Sequence, residues 1–150
     1  MAKTPRSIRE AAMDYLSRRE HATQELTQKL LTKGYEEDDV VAALARLTEQ
    51  GLLSDARFTE AFINQRIARG SGPLKIRAEL RQKGVSDAMI AEFLNERDPL
   101  WRESAQEVRY KKYGSDLPSD LKEKARQVRF LQSRGFSTEH TRYALRDDDD

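Results

Sequence analysis

The chain of 150 residues contains no cysteine, which excludes disulfides, thiolate metal sites and a cysteine nucleophile. It has no apolar run near the roughly 20 residues that span a bilayer, and its start, MAKTPRSIRE, lacks the apolar centre of a signal peptide. A soluble, cytoplasmic protein is therefore expected. Histidine is scarce: His21 and His140 stand alone, with no metal-ligand spacing around either, and each reads as a surface or internally satisfied ring. Aromatic residues are 7% of the chain and hydrophobic ones 37%, against 35% charged. Such a thin apolar complement suits an extended helical protein better than an enzyme with a deep pocket. Period-two alternation is absent throughout, which excludes a sheet and leaves an all-α fold.

Net charge is only +1, but the distribution is uneven. Residues 1–50 carry 8 Lys/Arg against 9 Asp/Glu, whereas residues 101–146 carry 11 against 6. Between Arg66 and Lys83 six cations (Arg66, Arg69, Lys75, Arg77, Arg81, Lys83) face one anion, Glu79. A second set comprises Arg102, Arg109, Lys111, Lys112, Lys122, Lys124, Arg126 and Arg129. Both sets are candidates for phosphates or an acidic partner, and both can equally be solvated helix faces. Tyr110 and Tyr113, interleaved with the second set, are either base-stacking platforms or core.

The few glycines and prolines punctuate helices. Ser7 and Glu10 form a capping-box pair at the start of a helix reaching about Arg19. Thr23 is the expected cap of a second helix that Gly34 stops, and a third runs from about Glu37 to Gln50. Ser54 or Asp55 opens a helix with Phe58, Phe62 and Ile63, closed at Gly70. Pro73 occupies a first helical position, where its missing N–H costs nothing, and the bare backbone of Gly70 and Gly72 makes that helix start a candidate anion site. Ser86, Asp98-Pro99, the loop SDLPSD and Ser137 begin the remaining helices, and Trp101 is expected to pack between modules. The tail Asp147–Asp150 is expected to be disordered and solubilising, with tempering of the basic surface as the other reading.

A repeat emerges from the punctuation. Moving Leu26, Leu30, Lys33, Gly34, Val40 and Leu44 forward by 50 gives Ile76, Leu80, Lys83, Gly84, Ile90 and Leu94. Moving Leu80, Lys83, Gly84, Val85 and Leu94 forward by 51 gives Leu131, Arg134, Gly135, Phe136 and Leu145. The chain thus reads as three three-helix repeats, residues 1–50, 51–97 and 98–150, each with a glycine-centred helix–turn–helix. The cation before each glycine complements the negative helix end. No catalytic constellation accompanies the repeats: Ser71 in RGSGP lacks a nucleophile elbow's flanks, and GSGP lacks the Gly-Lys-Ser/Thr ending of a phosphate loop. No enzyme, cofactor or metal is expected.

GLLSDARFTEAF followed by RIARGSGPLKIRAELRQKGVS resembles the RecX family, regulatory proteins of the RecA recombinase. The resemblance rests on Gly51, Leu53, Asp55, Phe58, Gly70, Gly72, Pro73, Ile76, Glu79, Leu80, Lys83 and Gly84, and extends through Tyr15 and Leu16 to Phe130 and Gly135. Ser54 departs from a usual acidic residue, and Thr141 stands where the register expects an aliphatic. What the resemblance implies is an elongated, curved monomer that binds the RecA–DNA filament, with single-stranded DNA and also duplex as nucleic-acid partners. It implies inhibition of filament extension, ATP hydrolysis, strand exchange and co-protease activity, by end-capping or by coating the groove. The residues themselves also fit a stand-alone helix–turn–helix DNA-binding regulator or a helical adaptor.

Overall fold

The computed structural model describes residues 6–146, so the acidic tail lies outside the described residues. Among the described residues there are nine helices and no strand: α1 (Ile8–Arg18), α2 (Thr23–Thr32), α3 (Glu37–Glu49), α4 (Asp55–Ala68), α5 (Pro73–Gln82), α6 (Asp87–Phe93), α7 (Leu100–Tyr113), α8 (Leu121–Ser133) and α9 (Thr138–Ala144). Local chemistry explains most helix starts. The hydroxyls of Ser7, Ser54, Ser86 and Ser137 accept from the backbone N–H groups of Glu10, Arg57, Met89 and His140, and the Asp120 carboxylate accepts from that of Glu123.

Thr23 departs from expectation. It is the first residue of α2 rather than its cap, which is Ala22. Its N–H and hydroxyl instead donate to Oδ1 of Asp55, at 2.7 and 3.0 Å. A carboxylate from the start of α4 thus supplies the acceptor that Ala22 lacks. This gives the motif residue Asp55 a structural task.

Three of the turns are copies of one another. Gly34, Gly84 and Gly135 have φ of 99°, 83° and 100°, a left-handed backbone that favours glycine. Their N–H groups donate to Leu31, Arg81 and Gln132. The following residues, Tyr35, Val85 and Phe136, donate to Leu30, Leu80 and Leu131. This is the Schellman pattern, and it satisfies carbonyls that the helix ends would otherwise leave bare.

The described residues form two compact units that do not follow the repeats. The first draws on residues 6–61 and 80–90. Here α1, α2 and α3 pack on one another around Ala11, Ala12, Leu26, Leu30, Val40, Leu44, Leu47 and Leu53. The second draws on residues 62–79 and 91–146. In it α7 packs chiefly on α9, with Trp101, Ala105, Leu131, Phe136 and Ala144 buried. The Trp101 indole donates to the Asn95 carbonyl at 2.9 Å. Thr141 is buried too, and its hydroxyl has no hydrogen-bond partner among the described residues.

Both histidines are internal and satisfied. In the first unit, His21 donates from Nδ1 to the Arg19 carbonyl at 3.1 Å and accepts from Lys29 Nζ at Nε2, 3.0 Å. In the second, His140 has the opposite tautomer, accepting the Ser137 N–H at Nδ1 and donating from Nε2 to the Glu96 carbonyl.

Candidate nucleic-acid interface

Within the second unit, the end of α4, the second half of α7 and the end of α8 enclose a groove of about 400 Å³. Four cations line it: Arg69, Lys111, Lys112 and Arg134. Ile67, Val108 and Phe130 contribute apolar surface, and Glu107 is its one carboxylate. Gly70 fits because it lacks a side chain, since a Cβ there would lie 3.2 Å from Cγ2 of Val108. Lys112 and Arg134 each stand over the Phe130 ring, at 5.2 and 5.3 Å from its centroid. Tyr113 meets the same ring edge-on at 5.6 Å. Lys111 pairs with Glu107 at 3.2 Å on an exposed surface, which leaves its charge largely available. A positive rim over an apolar floor can hold phosphates at its edge and a sugar or base face below.

The other candidate cations sort by what already holds them. Arg66 pairs with Glu79 at 3.1 Å and lies over the Phe62 ring. Arg77 pairs with Glu96, Arg81 with Asp87 at 2.8 Å, and Lys83 with Glu25 at 2.7 Å. Arg109 is only 4% exposed. Its guanidinium donates to Oε1 of Gln127 at 3.0 Å and to the carbonyls of Gly114 and Asp116, so it pins the loop after α7. Lys75 is exposed, and neither it nor Arg69 has an ion-pair partner among the described residues. Lys122, Arg126 and Arg129 share a shallow depression on α8 with Asp120 and Glu123, and Lys124 lines a different cavity with Arg142 and Arg146.

The helix start at Pro73 packs against main chain. Gly72 N–H donates to the Arg134 carbonyl at 2.7 Å and Leu74 N–H to the Gly135 carbonyl at 2.9 Å. Two of the N–H groups that make such a terminus attractive to phosphate are thus used by another turn of the same unit. The sequence also gave no reason to join Arg134 with Arg69. Its position before a glycine marks a helix cap, and only the packing of α8 beside α4 and α7 makes it part of a groove.

In the first unit, Glu25 is the electrostatic centre. Burial alone would push its carboxyl up, but hydrogen bonds and charge from Arg19 and Lys83 outweigh this and hold it at about 2. Its contacts are 2.8 Å to Arg19 and 2.7 Å to Lys83. Burial, together with the charges of Arg19 and Lys29, lowers the His21 ring below its ordinary range against an opposing hydrogen bond to the Arg19 carbonyl. Among the described residues no helix is long and apolar enough to cross a membrane.

Comparison with known proteins matches this chain to three family models in order: the first three-helix domain of RecX at residues 9–47, the second at 54–94 and the third at 102–145. The regulatory protein RecX of Halorhodospira halophila is 42% identical over 146 residues, covering 96% of this chain and 91% of the relative. That of Pseudomonas syringae pv. tomato is 47% identical over 133 residues, covering 89% and 86%. Among solved structures, that of RecX from Lactobacillus salivarius superposes with a TM-score of 0.77 at 21% identity, covering 92% of both chains. A crystal structure of regulatory protein RecX gives 0.78 at 24% identity, over 92% of this chain and 70% of that one. At those identities the structural likeness speaks for the fold.

Proposed function

The chain belongs to the RecX family of regulatory proteins, and on that premise we propose that it is a negative modulator of the RecA recombinase. It binds the RecA–DNA filament and holds back filament extension, ATP hydrolysis, strand exchange and co-protease activity. The observation that carries this reading is the groove of Arg69, Lys111, Lys112 and Arg134 over Ile67, Val108 and Phe130. Clustered cations with bare backbone beside them suit a polyanion, and neutralising phosphates makes such binding depend steeply on salt. Exposed Lys75 and the α8 cations Lys122, Lys124, Arg126 and Arg129 extend the positive surface available to DNA or to acidic protein.

The test is the RecA ATPase on single-stranded DNA with this protein titrated in. Wild type inhibits, and Arg69→Glu combined with Lys112→Glu and Arg134→Glu abolishes inhibition while helical content stays unchanged. Full inhibition by the triple variant would remove the groove from the mechanism. Inhibition at amounts far below one per RecA subunit marks end-capping, and a near-stoichiometric requirement marks groove coating. Strong preference for one duplex sequence without RecA would instead mark a stand-alone DNA-binding regulator.

A further inference from the structure

The three helix–turn–helix glycines share one backbone geometry but not one environment. Gly84 and Gly135 are each pressed against the first turn of an earlier helix. A Cβ on Gly84 would lie 2.5 Å from Cβ of Gln24 in α2, and one on Gly135 would lie 2.5 Å from Cβ of Lys75 in α5. Beside Gly84, Lys83 reaches Glu25, the third residue of α2. Beside Gly135, the carbonyls of Arg134 and Gly135 accept from the start of α5. The turn therefore acts as a knob that seats on a helix's first turn, once through side chains and once through the main chain.

Gly34 carries the same knob, with φ of 99° against 100° at Gly135, yet nothing among the described residues lies within 4 Å of where its Cβ would be. Lys33 holds the place of Lys83 and has no carboxylate partner among the described residues. It rests its ammonium over the Tyr15 ring, 5.1 Å away. The start of α8 repeats the carboxylate of the α2 socket, with Lys122 where α2 has Gln24. Leu121, its first residue, is 83% exposed, the most exposed of the large hydrophobic side chains. Glu123 is its third residue, as Glu25 is the third of α2; one oxygen accepts from Gln127 Nε2 at 3.2 Å and the other is held by a cation only loosely, by Arg126 at 3.6 Å.

We propose that the Lys33–Gly34 turn of one copy of this chain docks on the first turn of α8 in a second copy. Lys33 takes Glu123 as Lys83 takes Glu25, and the turn covers Leu121. The contact joins two different surfaces, so one turn and one helix start remain open for a further copy each time a single contact forms. One exposed ion pair and one leucine make it weak, so it forms in concentrated protein or where a linear polymer lines copies up. It does not depend on the recombinase.

The absence of cysteine makes the test clean. Lys33→Cys and Glu123→Cys proteins are mixed at high concentration under mild oxidation, with and without single-stranded DNA but without RecA. The mixture should yield a disulfide-linked pair in several-fold excess over either protein alone and over Lys33→Cys mixed with Glu92→Cys. No excess in either condition overturns the proposal. Sedimentation of concentrated protein gives the second arm: Lys33→Glu should weaken self-association about two- to fivefold. Adding Glu123→Lys to the same chain should restore it, and a double variant no better than the single one overturns the pairing. Lost ATPase inhibition by the triple groove variant leaves these readouts unmoved, so the two readings fail separately.

Discussion

The main-chain nitrogen of Gly72 donates to the carbonyl of Arg134 across 2.7 Å, joining the start of α5 to the end of α8 without any side chain between them. Such an approach is open only to glycine. A Cβ on Gly72 would stand 2.5 Å from both the Gly135 carbonyl oxygen and the Phe136 nitrogen, and main chain cannot swing aside as a side chain can.

Gly72→Ala should therefore cost about 2–3 kcal/mol, as overpacking does. Gly34→Ala meets no neighbour and suffers only its left-handed backbone, about 1–2 kcal/mol. Urea unfolding of the two variants checks the order; a milder effect at Gly72 would show that the α5–α8 contact yields.

Glu25 predicts the acid limb of stability. Its carboxyl is held at about 2 in the fold, against 4.5 as the ordinary value. A depressed carboxyl stabilises the fold fully above the unfolded value and loses that contribution as pH falls from about 4.5 toward 2. Glu25→Gln should lower stability at neutral pH by about 1.5–3 kcal/mol, the worth of hydrogen bonds to charged groups, and flatten this limb. An acid limb of unchanged slope in the variant would assign it to other carboxylates.

His21 acts higher on the pH scale. Its lowered value means the unfolded chain takes up a proton first, so stability is complete above 6.5 and declines as pH falls below it. NMR titration should find the His21 ring less than half protonated at pH 6.5, with Nδ1 carrying the proton of the neutral form. A ring half-protonated at that pH would contradict the buried contacts to Arg19 and Lys29.

Arg109 and Lys112 lie on one helix and should separate stability from binding. Arg109→Met leaves three acceptors without their donor and should cost about 3 kcal/mol or more. Lys112→Gln should change stability by no more than about 0.5 kcal/mol while weakening single-stranded DNA binding and reducing its salt slope by about 0.7. Thermal melts and salt titrations of both variants check the contrast.

Thr141 predicts a gain. Its hydroxyl is buried without a partner among the described residues, where an aliphatic side chain is expected, so Thr141→Val should stabilise by about 1 kcal/mol or more. A lower melting temperature would mean the hydroxyl is served in solution.

The helices and their turns were legible because their signals are local. Ser7, Ser86 and Ser137 cap as read, and Gly34, Gly84 and Gly135 end helices where the echo places them. Pairings across the chain were not. Nothing near Thr23 announces that Asp55 will serve it, and Arg109 looks like any other surface cation until Gln127 and the loop after α7 close around it. The groove was half legible: charge clustering nominated Arg69, Lys111 and Lys112, while Arg134 joined through packing alone.

The boundary between the compact units runs through the middle repeat, assigning Leu80–Ile90 to one side and Phe62–Glu79 to the other. The segment that looks in sequence like an interchangeable cassette thus contributes packing to both units. Excised as residues 51–97 it would leave behind Gln24 and Glu25 at one end and Arg134 and Gly135 at the other. A swap between relatives should therefore cut inside helices α4, α5 and α6, not at the loops that separate the repeats.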